Sequence, residues 1–428
     1  RYVVHSYNFF LFPSTLGVRD VEFTLSASSI QFLSHYGFDY NKFLRDGIPY
    51  MNEAQEKILR QRLLAGSWKV HSAADRDVLK KAIDEVTCWI AEAKEEETMI
   101  LQDLSVCHML EVQLVLRQAL QNVWTEPLGY KKLVVKKVSP QRRELLENSS
   151  YNHCEKELII LFARGFTNLF QILVKAKKPL VGHNMLMDLM HLHEKFYKPL
   201  PESYEEFKRN IHNLFPILID TKTVTKSMQK KYMFPRISSL SEVYAVLCSS
   251  NLNPEDPPWP VIALTTDCSR YAEKKFPHEA GYDAFLCGSG KMLHKHSFKD
   301  CLGDAVEADP SFSQYLTVLA EHVNKVNFIR GGVRSINFSG EDPPCRHPPL
   351  LVVRVQGWPE LNERQIYQEF KSLCHFDVRR LSKNQFILLS NKYKHVRLVL
   401  RDYKHHPQLQ VSIYRHWRHS PRVNCLLQ

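Results

Sequence analysis

Two apolar runs in the middle of the chain each end where a helical pattern begins. Residues 179–181 are apolar, Gly182 interrupts the run, and apolar side chains then recur with the spacing of an amphipathic helix. This pattern predicts a buried strand that leads into a helix. One face of that helix is polar and carries Asn184, Asp188, His191 and Lys195.

The second apolar run covers residues 215–220 and ends in Asp220. In open α/β sheets ligands bind beyond the carboxyl ends of the strands, so Asp220 is a candidate metal ligand. The alternative is that Asp220 caps a helix over residues 221–226. We favour the alternative and reject Asp220 as a catalytic residue, because aspartate is a common N-cap residue.

A third segment places His278 on a turn and Asp283 in the first turns of an apolar helix that begins near Tyr282. The helix dipole alone favours an acid at Asp283. It does not explain a histidine shortly before that acid. Beyond Leu286 two glycines and a serine make a poor helix interior, so the pattern predicts an interrupted helix there.

These segments resemble the DEDD group of 3′–5′ exonucleases, in the subtype whose third motif is His-x-x-x-x-Asp. The amino-acid sequences of residues 28–33, 37–42 and 46–50 are similar to those found in the poly(A)-specific ribonuclease (PARN) branch of that group. The sequences of residues 193–204 and 414–421 resemble those of the members of this branch that trim the 3′ ends of piRNA precursors. The resemblance implies an α/β fold with an RNase H-like mixed sheet flanked by helices, and a 3′–5′ exoribonuclease.

The resemblance also implies roles for individual side chains. Asp188 and Asp283 would be ligands of two Mg²⁺ ions, for which Mn²⁺ is expected to substitute, and His278 would take the proton from the attacking water. Carboxylate oxygens are the hard ligands that Mg²⁺ prefers, and histidine titrates near neutral pH. His183 and Asn184, beside the strand end, are candidate RNA contacts.

The group's other two acids come from an Asp-x-Glu motif on the first strand of the sheet. Asp20 and Glu22 have this spacing, but they come after the strand that the motif should precede, so we reject both. We therefore expect that the chain begins past the motif, that the sheet lacks its first strand, and that the chain taken alone is a weak nuclease.

The predicted nuclease domain consists of residues 1–65 and 149–339, with residues 66–148 as a mainly helical insertion. The PARN branch carries a small nucleic-acid-binding domain in this place, marked by an Arg-x-x-x-His motif. That motif is absent from the insertion. The alternative to nucleic-acid binding is therefore a structural or dimer-forming role for the insertion, and a homodimer is compatible with that role.

Residues 346–428 follow a proline-rich segment and show the order β-α-β-β-α-β, which is typical of the ferredoxin-like fold of RNA-recognition motifs. Phe386 falls where the third strand of such a domain presents a base-stacking aromatic. Trp358 falls where the PARN branch presents a nucleotide-stacking tryptophan, and its alternative is a loop aromatic packed on its own domain. Arg379 and Arg380 are candidates to hold phosphates without choosing bases.

A formal charge of +11 and a pI near 9.0 favour an anionic partner, here the 3′ end of single-stranded RNA. None of the ten cysteines belongs to a Cys-x-x-Cys pair, which argues against a zinc site and disulfides and indicates the reducing cytoplasm. No apolar run is long enough to span a bilayer, so no membrane contact is expected of this chain.

The resemblance further implies PIWI proteins and a Tudor-KH adaptor as partners. It also implies full-length relatives with a C-terminal helix, absent here, that anchors them to the mitochondrial outer membrane or the endoplasmic reticulum. Two rival functions stay open. One is a poly(A) deadenylase with the same site, which a strong adenosine preference would reveal. The other is a non-catalytic RNA-binding or scaffolding protein, which the missing Asp-x-Glu motif favours.

Overall fold

The computed structural model describes residues 2–14, 16, 21–66, 73–104, 106–129, 132–231, 239–249, 262–292, 312–328, 333, 335–344, 348–358, 361–373, 376–390, 392–420 and 423. Contacts divide the chain into two compact units, Arg1–Val323 and Asn324–Gln428. None of the helices in the described ranges combines the length and the apolar composition needed to cross a bilayer.

The first unit opens with short strands and helices. They are β1 (Tyr2–Val4), β2 (Leu11–Pro13), α1 (Ala27–His35), α2 (Tyr40–Asp46), β3 (Ile48–Tyr50) and α3 (Glu53–Ala65). Strands β2 and β3 pair in parallel. Helix α3 begins at a capping box, in which Asn52 and Gln55 each accept the other's backbone N–H.

The predicted insertion contains a sheet as well as helices. Its elements are α4 (Ala73–Glu92), β4 (Thr98–Leu101), α5 (Val106–Ala119), β5 (Val123–Pro127), β6 (Leu133–Lys137) and α6 (Pro140–Glu147). The three strands form one antiparallel sheet in the order β4-β6-β5, and Val86, Leu116 and Val135 share its core with both long helices. Leu110 of α5 packs with Leu59 of α3, so the insertion is joined to the nuclease half by apolar contact.

The second half of the unit carries the segments singled out in the sequence. Its elements are α7 (Ser150–Arg164), α8 (Phe166–Ala176), β7 (Leu180–Gly182), α9 (Leu186–Leu192), α10 (Tyr204–Leu214), β8 (Leu218–Asp220), α11 (Thr221–Lys231), α12 (Leu240–Ser249), β9 (Ile262–Leu264), α13 (Arg270–Glu273), α14 (Ala280–Met292) and α15 (Phe312–Val318). A π-helical turn, His193–Tyr197, continues α9. Strand β1 pairs in parallel with β9, and β7 pairs in parallel with β8.

The predicted mixed sheet is therefore not continuous among the described strands. Apart from the sheet of the insertion, the strands of this unit pair two by two, as β1 with β9, β2 with β3 and β7 with β8. Each of these six strands has only three residues. The architecture of the unit is mixed α/β, with small sheets embedded among helices.

Gly165 separates α7 from α8, where the apolar pattern alone suggests one continuous helix. Its φ of +46° lies in the left-handed region, and its backbone bridges to Tyr50. A Cβ atom at this position would overlap the Pro49 carbonyl oxygen. The backbone of β3 thus approaches too closely for any side chain, and the helix breaks.

The prediction that the helix is interrupted after Leu286 is wrong, because α14 is continuous there. It continues to Met292 through Gly288, although each glycine costs a helix about 1 kcal/mol relative to alanine. Leu286, Cys287 and Ser289 are all buried, with exposures of 0%, 7% and 1%. Tertiary burial of these side chains outweighs the poor helix propensity of the segment.

The second unit begins before the predicted proline-rich linker. Its elements are β10 (Lys325–Asn327), β11 (Ser335–Asn337), β12 (Leu351–Val355), α16 (Glu363–Lys371), β13 (Asp377–Ser382), β14 (Gln385–Leu389), α17 (Tyr393–Asp402), β15 (Leu409–Ile413) and α18 (His416–His419). Strands β10 and β11 form an antiparallel ribbon ahead of the linker. From β12 to β15 the order is β-α-β-β-α-β, with one four-stranded antiparallel sheet ordered β13-β14-β12-β15.

Candidate active site

Asp220 stands at the carboxyl end of β8, opposite Gly182 at the end of β7. Its side chain is 1% exposed. One carboxylate oxygen accepts the backbone N–H groups of Asn184 at 2.8 Å and Lys222 at 2.9 Å, and the other accepts that of Met185 at 3.2 Å. Asp220 thus holds both the start of α11 and the turn that precedes α9, and its lone pairs are largely used within the protein.

Asp188 lies in the first turn of α9, directly after that turn. Partial desolvation raises the pKa of its carboxyl, and the charge of Asp220 adds to the rise, while a bond to its own backbone and the charge of His191 oppose it. The side chain is still exposed to water, so solvent screens much of this effect.

The polar helix face predicted around Asp188 is shorter than expected. Asn184 does not belong to the helix, because it adopts a left-handed φ of +59° in the turn before it. Lys195 falls within the π-helical turn, which breaks the regular spacing. Asp188 and His191 are the two members of that face that lie on α9.

Asp283 lies in the first turn of α14 and is half-buried. Desolvation raises the pKa of its carboxyl, opposed by a bond from the backbone N–H of His278 and by the charge of that imidazole. His278 has a φ of +67°, an unusual value for a residue with a side chain. The structure therefore brings His278 and Asp283 into direct contact, through the backbone.

The charges of all three acids act on the thiol of Cys287. Cys287 lies one helical turn after Asp283 on α14, and its side chain is buried. Burial raises the pKa of its thiol to about 12, and the negative charges of Asp283, Asp220 and Asp188 add to the rise. Since α14 packs against both β7 and α11, all three carboxylates lie within electrostatic reach of this sulfur.

An aromatic pair flanks His278. The imidazole lies 4.7 Å from the ring centroid of Phe32 and 4.4 Å from that of Tyr36, edge to face with each. Phe32 lies on α1 and Tyr36 directly follows its last residue, and both are exposed, at 46% and 40%. In the sequence Phe32 looks like a core position of an amphipathic helix, but α1 buries none of its side chains.

Lys222 and His183 complete the polar side chains at the strand ends. Burial lowers the pKa of the Lys222 ammonium, and the charge of Asp220 opposes the change. His183 Nδ1 lies 2.9 Å from the Thr221 hydroxyl, which donates to the Gly182 carbonyl at 3.0 Å. Lys222 was not predicted from the sequence, although its place two residues after the strand end at Asp220 could have indicated it.

Two acids of the N-terminal part, Asp20 and Glu22, were rejected as metal ligands from the sequence. Asp20 lies outside the described residues, and Glu22 is exposed.

Phe386 corrects one prediction for the second unit. Its side chain is 0% exposed and belongs to the core formed with Val353, Ile366 and Phe370, so the prediction that it stacks on bases is wrong. Its strand register directs it to the helix side of the sheet, opposite Val353.

The other candidate RNA contacts of the second unit are partly or fully accessible. Trp358 packs against the edge of the core, and its indole N–H donates to Gln408 at 3.1 Å. This is the packing expected of a loop aromatic. Arg379 and Arg380 are exposed, and the Arg380 guanidinium lies 5.7 Å from the Phe386 ring centroid.

The acids fit a divalent cation by their chemistry. Asp188 and Asp283 are oxygen donors whose charged forms are destabilised by desolvation, so a bound cation would restore part of the lost hydration energy. In the part of the chain that the structure describes, no three side chains of the His, Cys, Asp and Glu types are arranged to enclose an ion. An ion held by these residues needs further oxygen ligands.

Comparison with known proteins agrees with this chemistry. Residues 1–290 match the model of the CAF1 family ribonucleases. The chain is 56% identical to the poly(A)-specific ribonuclease PNLDC1 of Mus musculus, over 100% of this chain and 81% of that protein. It is 29% identical to the pre-piRNA 3′-exonuclease trimmer of Bombyx mori, over 98% and 79% respectively. Identity to the poly(A)-specific ribonuclease PARN of Bos taurus is 27%, over 97% and 67%. The chain belongs to the CAF1 family of ribonucleases.

Proposed function

We propose that the chain is a 3′–5′ exoribonuclease that trims the 3′ ends of RNA, with PIWI-bound piRNA precursors as its substrates. The observation that carries the proposal is the grouping of Asp188 and Asp283 around the buried Cys287, with His278 bonded to Asp283. Metal-assisted phosphodiester hydrolysis uses carboxylates to hold the metal and a histidine to move the proton. The 29% identical relative, named a pre-piRNA 3′-exonuclease trimmer, supports the direction and the substrate.

Membership of this family implies dependence on a divalent metal ion, and we propose Mg²⁺, with Mn²⁺ as a substitute. Asp188 and Asp283 would hold it, with water and phosphate oxygens completing the ligand shell of up to two ions. When bound, the metal neutralises charge on the phosphate and lowers the pKa of a water molecule.

The side chains of the protein supply the remaining chemistry. The exposed imidazole of His278 takes a proton from the attacking water, and the bond from its backbone N–H to Asp283 holds the backbone of this residue beside the proposed ligand. The Lys222 ammonium balances phosphate charge beside Asp220. Phe32 and Tyr36 offer exposed faces on which terminal bases stack, and such stacking tolerates any sequence.

Charge supports RNA as the partner of the second unit. Residues 324–428 contain 18 Lys and Arg against 7 Asp and Glu, so this unit carries a net charge of +11, equal to that of the whole chain. Arg354 and Arg379 lie on the face of the sheet that is turned away from the helices, together with Ile387 and Gln410. The described strands present no aromatic side chain on that face, which favours phosphate contacts over base reading.

The cellular setting is part of the proposal and comes from the family resemblance of the sequence. We propose that a PIWI protein presents the RNA, that a Tudor-KH adaptor assists, and that the reaction takes place in the cytoplasm. The described cysteines Cys88, Cys268 and Cys287 are free thiols, which agrees with a reducing compartment.

Poly(A) shortening is the second candidate, because the 56% identical relative is named a poly(A)-specific ribonuclease. Incubating the protein with Mg²⁺ and 3′-hydroxyl RNAs of equal length, one poly(A) and one of mixed sequence, separates the two. We expect similar shortening of both RNAs. A strong preference for poly(A) would instead identify a deadenylase.

The same assay tests the site. Asp188→Asn and Asp283→Asn should each abolish shortening, and His278→Ala should slow it by about 10²–10⁴-fold. Glu22→Gln is the matched control, because this exposed carboxylate has the type but not the place of the proposed ligands. Activity that survives both Asp→Asn substitutions would refute the proposed site.

A further inference from the structure

One oxygen of the Glu279 carboxylate receives three donors. Asn8 Nδ2 donates to it at 2.8 Å, the Tyr271 hydroxyl at 2.5 Å, and the Arg270 guanidinium also bonds to it. Asn8 Nδ2 further donates to the Tyr271 hydroxyl at 2.7 Å. Hydrogen bonds to a charged acceptor are about twice as strong as neutral ones, so this group, which we term the Glu279 cluster, fixes its members firmly.

The amide oxygen of Asn8 binds the backbone of Gly281, two residues after Glu279. Asn8 Oδ1 accepts the backbone N–H of Gly281 at 2.6 Å, and the Ser6 hydroxyl donates to the Gly281 carbonyl. The approach is so close that a Cβ on Gly281 would lie 2.7 Å from Asn8 Nδ2 and 2.9 Å from both Ser6 Oγ and Tyr271 Oη. A side chain at position 281 would therefore displace the polar groups of Asn8, Ser6 and Tyr271.

The Glu279 cluster is placed between the two residues proposed to act on RNA. His278 directly precedes Glu279, and Asp283 follows Gly281 by two positions. His278 also adopts a strained φ of +67°, which persists only when the surrounding contacts enforce it. The bonds to Glu279 and Gly281 therefore determine the path of the backbone from His278 to Asp283.

We propose that Asn8 and Glu279 are positioning residues for hydrolysis, which hold His278 and Asp283 in the geometry that the reaction requires. The inference rests on the proposed role of His278. Neither residue touches the reacting atoms. Asn8 acts by fastening the N-terminal segment to a turn that lies more than 270 positions later in the chain.

The test compares Glu279→Ala with Glu279→Gln, which keeps the side-chain shape and one acceptor oxygen. Because small displacements of reacting groups cost about 10²-fold, Glu279→Ala should lower kcat by that order while KM changes by less than about threefold. Glu279→Gln should recover most of the lost kcat. Asn8→Asp, which keeps the acceptor for Gly281 but sets a second carboxylate beside Glu279, should also lower kcat.

Glu157→Ala is the matched control. Glu157 forms a two-fold bonded ion pair with Arg60 in the same unit, between α3 and α7. Loss of this ion pair should leave kcat unchanged. Thermal unfolding of each variant gives the folded fraction, and rates are compared per amount of folded protein.

A double-mutant cycle separates positioning from general loosening. In a His278→Ala background Glu279→Ala should reduce kcat by only a few-fold further, because its main effect acts through the missing imidazole. Wild-type kcat in Glu279→Ala, or an undiminished further loss in the His278→Ala background, would overturn the inference. Unchanged hydrolysis in His278→Ala alone would instead overturn the proposed function of His278 and the positioning role built on it.

Discussion

The Asp220 carboxylate accepts the backbone N–H of Asn184 over 2.8 Å and so maintains a left-handed φ of +59° at that residue. The bond joins the ends of two parallel strands and sets where α9 begins. Asp188, two residues into α9, inherits its position from this contact. A side chain rejected as a metal ligand thus determines where a proposed ligand stands.

Asp220→Asn should destabilise the protein by about 1–3 kcal/mol, because the amide group offers donors to backbone N–H groups that need acceptors. Chemical denaturation monitored by circular dichroism measures the change. Asp188→Asn is the control, since Asp188 is exposed and should lose cleavage without a comparable loss of stability. Equal stability of Asp220→Asn and the parent chain would contradict the supporting role of Asp220.

Gly165→Ala should lower the free energy of unfolding by at least about 2 kcal/mol, from the left-handed φ and from overlap with the Pro49 carbonyl. Gly288→Ala provides the opposite case on α14, where a Cβ would meet no atom within 4 Å. That variant should gain about 0.5–1 kcal/mol. The two thermal unfolding curves should therefore shift in opposite directions.

Phe386→Ala should destabilise the second unit by about 3–5 kcal/mol, because it empties a fully buried position. RNA bound by the folded fraction should keep its salt dependence. Arg379→Ala should do the reverse, with stability nearly unchanged and the slope of log affinity against log salt reduced by about 1. Loss of base discrimination in Phe386→Ala, at unchanged stability, would restore the stacking role that burial excludes.

Stability should fall as the pH drops below the ordinary pKa of histidine, through His193. This imidazole is 0% exposed and lies 2.9 Å from the Lys198 carbonyl and 3.1 Å from Asn210 Nδ2. Burial lowers its pKa in the folded protein. The unfolded chain therefore takes up a proton near pH 6.5 while the folded protein still resists it, which favours unfolding at lower pH.

Urea unfolding at pH 7.5 and pH 5.5 measures this contribution. His193→Gln should show a smaller difference between the two pH values than the parent chain, whereas substitution of the exposed His35 should leave the difference as it is. An identical pH response in His193→Gln and the parent chain would contradict the prediction.

The local pattern placed Asp188, His278 and Asp283 near a strand end or a helix start, and the family resemblance then implied their roles. Such reasoning uses only neighbouring residues, so it cannot predict features that depend on backbone far away in the chain. The break at Gly165 depends on Pro49, and the ring contacts of His278 depend on Phe32, far away in the chain. The continuity of α14 was missed because burial of Leu286 outweighs the propensity of its glycines.

The partnership of Asn8 with Glu279 belongs to the same class of long-range contacts. The prediction that Phe386 stacks on bases was wrong for a different reason. The place of Phe386 in the third strand was identified from the sequence, but strand register decides which face a side chain occupies, and a shift of one residue exchanges the faces.

The buried thiol of Cys287 has a consequence for which metals the site admits. Burial raises the pKa of this thiol to about 12 and the charges of three carboxylates add to the rise, so the sulfur favours its protonated, neutral form. A thiolate there would draw zinc or copper, which bind soft ligands tightly and would outcompete a weakly held Mg²⁺. By favouring the neutral form of this sulfur, burial and the neighbouring acids leave a site of hard oxygen ligands that an abundant, fast-exchanging ion can occupy.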